Sequence, residues 1–362
     1  MGLPGQKSPA QGSFNFNKMT LTNKTIPNCR GQVVFPELGK DLVNVNFSTS
    51  VGILQGVEAY ERYPAGGELR SVILGEENVV LTPCGPYIPN YHFGDVRKKY
   101  APCLTFYPGG ALRSIRFETQ MKVPVPPGTV FGDFLWAEHL TFYQNGAIKR
   151  VFPLDGKLSG FWGELDEVKL AQKLKINFLF GERELLVSSL YFYPFGKLKS
   201  VTLWPGVRVK LPRKDGVIQA RIGFSLDPEG RILTLEPDLG QELMTPIGKI
   251  IPYDPFANGI NADHNSLELD PLGRIVSLKS LVVISGTRED GSLVTISPQV
   301  IPHPLDLSRK LHLPLTLRFL GDKLQVDSTT LLAAKPITVK PYFPAQNIPP
   351  SAPDSLAPGL SH

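Results

Sequence analysis

Cysteine is scarce in this chain. There are three, Cys29, Cys84 and Cys103, an odd number with no CxxC or Cys/His spacing. That excludes a disulfide scaffold and a thiolate zinc site, and predicts reduced thiols. Long apolar runs are missing as well. Nothing approaches the ~18 uninterrupted apolar residues of a membrane-spanning helix. The opening residues, MGLPGQKSPAQGSFNF, lack the apolar core of a secretory signal, and Gln6 stands where myristoylation needs Ser or Thr. A cytoplasmic location is the resulting expectation. Charge of one sign is also lacking. With 38 basic and 33 acidic side chains the net charge is +5, which gives no strong nucleic-acid signal.

Windows free of helix breakers are scarcer still. The 362 residues include 34 Gly and 34 Pro, about one residue in five where average usage is nearer one in eight. A helical bundle or coiled coil cannot carry breakers at that density. Collagen needs Gly at every third position, and disorder needs fewer apolar residues than the 42% present. What remains is an all-β chain of short strands and tight turns.

An internal repeat supports this reading. LTFYPGGALRSI (104–115), LTFYQNGAIKRV (140–151), LYFYPFGKLKSV (190–201), FSLDPEGRILTL (224–235), LELDPLGRIVSL (267–278) and SGTREDGSLVTI (285–296) align on one glycine. ERYPAGGELRSV (61–72) joins them with Gly67 as anchor and Tyr63 in the aromatic place. Pro pre-sets the second position of a type I turn, and Gly two residues later adopts the left-handed conformation without a Cβ clash. The combination predicts a three-residue hairpin loop with a bulge. Asp227 and Asp270 suit the first turn position, where a carboxylate oxygen caps the turn.

The turn also sets the register. Phe106 should face Leu112, Phe142 Ile148, Phe192 Leu198, Leu226 Ile232 and Leu269 Ile275. The next apolar residue, Ile115 in the Gly110 copy, has the opposite parity. The second strand therefore either bulges again or is covered on both faces. Anchor spacings of 43, 36, 50, 34, 43 and 18 residues fit an antiparallel β-hairpin repeat array forming an extended twisted sheet, and a β-propeller is the alternative. Residues 1–13 read as a flexible arm and 14–340 as the repeat region, with hairpin anchors near 67, 110, 146, 196, 230, 273 and 291. Residues 341–362 read as a proline-rich disordered tail, whose PYFP and PSAP segments leave a polyproline II ligand open. Residues 164–175 predict a short helix leading into a strand.

The hairpins FYQNGAIK (142–149), FYPFGKLKS (192–200) and 106–114 resemble bacterial MORN-type repeats, as found in antitoxin-like multi-repeat proteins. The likeness covers about a third of the chain, and that family's Gly-x-Gly continuation is missing. It implies a β-hairpin ladder and an interaction or scaffold role, with no single ligand.

Reactive groups do not cluster. The six histidines are scattered, and no HExxH, GxSxG, GxGxxG or P-loop motif occurs. Asp254, Asn258, Asn261, Asp263 and Asn265 recur at near-alternate positions. However, Ser266 and Leu272 stand where a calcium loop needs Gly and Glu, so a turn-rich loop is the better reading. One surface feature remains. Tyr107, Tyr143 and Tyr193 precede the turns, and Arg70, Arg113, Lys149 and Lys199 follow them on the face opposite Phe106. The later copies carry Leu233, Val276 and Val294 instead, as though covered on both faces. The ladder reads either as a solvated sheet face or as a strip for an anionic or extended partner. The expectation is a non-enzymatic, cofactor-free protein-interaction or scaffold module. Binding of a carbohydrate or envelope polymer through the Tyr/Lys/Arg face is the alternative, and an enzyme sited in the variable loops ranks below both.

Overall fold

The computed structural model describes residues 46–342, apart from 65–66, 94–96, 98–99, 126–130, 156–161, 215, 258–264 and 304–305. The predicted N-terminal arm, Cys29 and the tail beyond Tyr342 lie outside the described residues. So do Asn258, Asn261 and Asp263 of the turn-rich loop.

The six aligned turns close as their residue types require. In the Gly110 hairpin the Gly110 amide donates to Tyr107 O (3.0 Å) and the Tyr107 amide to Ala111 O (2.8 Å). Gly110 sits at φ +82°, in the left-handed region. The Gly67 turn is one residue longer, closed by Gly67 N–H to Tyr63 O and Tyr63 N–H to Glu68 O. Asp227 Oδ1 accepts from the amides of Glu229 and Arg231, and Asp270 Oδ1 from those of Leu272 and Arg274, the expected turn caps.

All five predicted pairs form: Phe106 with Leu112, Phe142 with Ile148, Phe192 with Leu198, Leu226 with Ile232, and Leu269 with Ile275. The parity question is resolved by a second bulge. Leu104 pairs with Ile115 and Thr105 with Ser114, which leaves Arg113 unpaired between Leu112 and Ser114. That extra residue lets Leu112 and Ile115, three apart, face the same side as Phe106 and Leu104, two apart. Arg70, Lys149 and Lys199 occupy the same bulge position in their hairpins.

The hairpins then pair in chain order, and seventeen strands share one antiparallel sheet. Two rows of cross-strand neighbours run across it. One is apolar: Val72, Leu104, Ile115, Leu140, Val151, Leu190, Val201, Phe224, Leu235, Leu267, Leu278, Leu317 and Val326. Every member is buried. The other, one residue away and hence on the opposite face, is polar in its first half: Glu61, Ser71, Thr105, Ser114, Thr141, Arg150, Tyr191, Ser200, Ser225 and Thr234. Among the described residues, the first strand, Val57–Arg62, pairs only with Leu69–Leu74. The last, Thr329–Leu332, has Lys323–Val326 as its strand partner and one isolated bridge to Arg288. The ladder therefore has two ends and does not close, and the propeller is not formed.

The Gly291 hairpin forms with the expected turn but outside the main sheet. Val282–Thr287 and Leu293–Ile296 join Thr338–Pro341 in a separate three-stranded sheet. Of the predicted tail, Pro341 thus pairs with Val282. The main sheet is continued instead by Leu315–Leu320 and Lys323–Val326, whose turn contains Gly321 at φ +67°.

The irregular anchor spacing comes from side hairpins between the main ones. Their tips lean on main-hairpin turns further along the chain. Ser50 donates to Gly110 O (2.7 Å). Pro83 would lie 3.1 Å from a Cβ on Gly146, Leu179 3.9 Å from one on Gly230, and the Lys214 amide 3.3 Å from one on Gly273. In each case the tip reaches the second main hairpin downstream, which staples the array beyond nearest neighbours. The only helix among the described residues, Glu164–Val168, precedes the strand Lys173–Phe178 as predicted.

Candidate functional site

The tyrosines of the first four hairpins form a staircase of straps. Tyr63 donates its hydroxyl to Phe106 O, Tyr107 to Phe142 O, Tyr143 to Phe192 O and Tyr193 to Leu226 O, at 2.8–2.9 Å. Each acceptor lies one residue beyond the last ladder pair joining the two hairpins, such as Ser71 with Thr105. The hydroxyl therefore extends inter-hairpin bonding past the point where the backbones diverge. Burial, then the neighbouring Asp227 and Glu229 carboxylates, raise the Tyr193 pKa, which keeps its hydroxyl a donor. From the Gly230 hairpin on, Asp227 and Asp270 cap their own turns, and no tyrosine occupies that place.

The basic bulge residues lie over these rings. Arg70 stands over Tyr63, Arg113 over Tyr107, Lys149 over Tyr143 and Lys199 over Tyr193, each 5.6–5.8 Å from the ring centroid. Attraction to the ring face holds the charge above the sheet while the head stays reachable. Arg70 also pairs with Glu61 at 2.8 Å. Among the described residues no carboxylate pairs with Arg113, Lys149 or Lys199. Each predicted cation is thus set over the tyrosine of its own hairpin; Arg70, Tyr107, Arg113 and Lys149 line one groove, and Tyr143, Tyr193 and Lys199 lie outside its lining. The tyrosine hydroxyls, however, are engaged in straps, which leaves the cations as the groups facing outward. Leu233 and Val276 are half-buried at the later bulge positions, whereas Val294, also half-buried, pairs with Gly286 in a hairpin of unbroken register.

Above the polar row lies a groove of about 430 Å³. Arg70, Arg113, Arg116, Lys149 and Arg150 line it, with Glu61 as the one carboxylate on its wall. Ser71, Thr105, Ser114 and Thr141 supply hydroxyls. Thr105 and Ser114 bond each other at 2.6 Å, while Thr141 Oγ1 and His139 Nε2 are buried and have no partner among the described residues. Asp155, beneath, accepts from Arg116 at 2.9 Å and pairs with His139 Nδ1 at 2.9 Å.

A buried ionic cluster supports the strand that carries His139. Arg97 donates twice to Glu138 (2.8 and 2.7 Å) and twice to Glu167 (2.8 and 2.5 Å), and the Trp162 indole donates to Glu167 at 2.7 Å. Glu138 Oε2 also accepts the Asp155 amide at 2.9 Å, which ties this cluster to the groove floor. Sequence reasoning missed Arg116, His139, Thr141 and Arg150 of the groove. Arg150, directly after Lys149, carried the one signal that could have found them. The Arg97 cluster has none, because its members are 41 and 70 residues apart.

Other chemistry finds no support among the described residues. No group of three or more His, Cys, Asp or Glu is placed to hold a metal ion. Asp254 pairs with Lys279 at 2.6 Å and caps the Phe256 amide, as a turn residue does. Cys103 is buried, which pushes its thiol up to about 12, and burial raises Cys84 to about 11. Among the described residues no helix is long and apolar enough to cross a membrane. No family model, no curated protein and no solved structure matches the chain.

Proposed function

We propose that this chain is a non-enzymatic interaction module whose hairpin sheet holds an acidic partner along the groove of its first hairpins. One observation carries the reading: five basic side chains and one carboxylate surround a groove floored by hydroxyls. Such a wall raises the local concentration of an anion and pairs with it in a partly desolvated setting. The likeness of the hairpins to MORN-type repeats supports an interaction role. The test is retention of the full chain on anionic and neutral polymers at low and high salt. Anionic polymers should retain it, salt should release it, and Arg113→Glu with Lys149→Glu should lower affinity at least tenfold. Salt-independent retention, or unchanged binding by the double variant, would refute the reading.

A scaffold for another protein is the second reading, and it rests on a different surface. Ile53, Leu81, Trp136, Val217 and Met244 are exposed, each on a side-hairpin strand. Exposed apolar residues recurring on successive side hairpins suit a protein partner. Ile53→Asp with Leu81→Asp should then abolish co-purification of that partner and leave polymer retention intact.

A further inference from the structure

Cations stand on both sides of one strand in the groove. Phe134–Phe142 runs between Leu112–Pro124 and Ile148–Phe152. On one flank Arg116 stands beside His139, and on the other Arg150 stands beside Thr141. The two flanking strands are ~10 Å apart. Arg113 adds a second cation to the first flank and Lys149 to the other, and all four line the groove. The strand between them contributes Thr141, His139 and Phe142 to the lining and no carboxylate. The guanidiniums are held in place. Arg116 Nε donates to Asp155 at 2.9 Å and Nη1 to Pro102 O at 2.8 Å, which fixes the plane of its fork. Arg150 lies 4.2 Å from the Tyr191 ring centroid, and Arg113 stands over Tyr107. Side chains ordered in advance lower the entropic cost of binding.

Acidic groups differ in how many directions they accept from. A carboxylate has two oxygens in one plane and is satisfied by a single guanidinium fork. A phosphodiester also offers two free oxygens, with one charge. A terminal phosphate has three acceptor oxygens pointing apart and a charge of about −1.5 to −2 at neutral pH, so it accepts from both flanks at once. A sulfate ester has the same three oxygens and a single charge. The volume of about 430 Å³ lies within the ~300–1,000 Å³ of small-molecule sites. We infer that the groove is a site for the terminal phosphate group of a small molecule, its oxygens shared between Arg113 and Arg116 on one flank and Lys149 and Arg150 on the other. This rests on the anionic reading above and narrows it to one charged group.

Titration calorimetry of the full chain at low salt tests it with glucose 6-phosphate, glucose 6-sulfate and glucuronate, which differ in the charged group on one hexose. Glucose 6-phosphate should bind at least tenfold more tightly than the other two. Inorganic phosphate separates the sources of the group. Weaker binding than the ester assigns the site to an organic phosphate, and equal or tighter binding assigns it to free phosphate. Arg150→Lys, which keeps the charge and loses the fork, should weaken glucose 6-phosphate at least fivefold with an unchanged melting temperature. Arg113→Gln, at an exposed position, should weaken it as well. Equal or tighter binding of the sulfate or the carboxylate, unchanged affinity in both variants, or no binding of either phosphate overturns the phosphate assignment. The anionic reading then stands if anionic polymers still retain the chain and salt releases it. Absence of that retention as well overturns both.

Discussion

Tyr107 donates its hydroxyl to the main-chain carbonyl of Phe142, 2.8 Å away and 35 residues further on. The bond joins two hairpins at the level of their turns, where the strand ladder between them has ended. Replacing the hydroxyl leaves a half-buried carbonyl short of a donor, at about 1 kcal/mol. Tyr107→Phe should lower the melting temperature by ~2–4 °C. Tyr107→Phe, Tyr143→Phe and Tyr193→Phe combined should lower it further while polymer affinity stays the same. A loss of affinity in the triple variant without loss of stability would make the hydroxyls part of the binding surface.

Gly110 and Gly146 share the left-handed conformation, at φ +82° and +85°. A Cβ on Gly110 meets open space, whereas one on Gly146 lies 3.1 Å from Pro83. Each Gly→Ala change should cost about 1–2 kcal/mol for the backbone conformation. Gly146→Ala should cost more, because the side hairpin must also shift. Paired thermal melts measure the difference. Equal melting temperatures would show that the Pro83 tip does not brace this turn.

Arg113 is the residue whose insertion realigns the second strand. Arg113→Ala removes a surface charge and a ring contact, worth about 0.5–1 kcal/mol. Deleting Arg113 is a different event, because the pairing slips by one and turns Ile115 and Phe117, both fully buried, to the polar face. Each such side chain is worth ~1.5–3 kcal/mol when buried. The deletion should therefore abolish the cooperative melt that the alanine variant keeps, as read by near-ultraviolet circular dichroism during heating.

Glu236 is buried, and desolvation raises its pKa despite the Ser266 amide and Arg221. A carboxyl with a raised folded pKa binds its proton more tightly in the folded state. Its contribution to stability therefore grows as pH falls through the folded pKa toward the ordinary carboxylate range, and is lost as pH rises. The melting temperature of the parent chain relative to Glu236→Gln should climb as pH is lowered over that window. A flat difference across the window would mean that Arg221 and Ser266 fully offset the burial.

The distribution of glycine and proline made the turns legible, since both fix local backbone angles without help from distant residues. Asp227 and Asp270 could be placed as caps for the same reason, their acceptors and donors lying within four residues. The bulge at Arg113 was only half legible. The change of apolar spacing between Phe106 and Ile115 signalled either a bulge or double burial, and only the neighbouring strand Phe134–Phe142 shows which face is covered. The continuation of the sheet through Gly321 escaped the repeat pattern because its turn lacks the shared motif.

The all-β class, the hairpin turns, the cross-strand pairs beside them and the co-location of Tyr107, Tyr143, Tyr193 with their basic partners follow from the order of residue types alone. These depend on φ preferences and on the two-residue period of a strand, both local. The tertiary structure alone decided that hairpins pair in chain order without closing, and that the tyrosine hydroxyls act as straps. It also decided that the Gly291 hairpin leaves the sheet, and that Arg97 from one loop joins Glu138 and Glu167. Those outcomes depend on which surfaces meet across tens of residues, where burial and buried charge compensation act and local pattern carries no record of the partner.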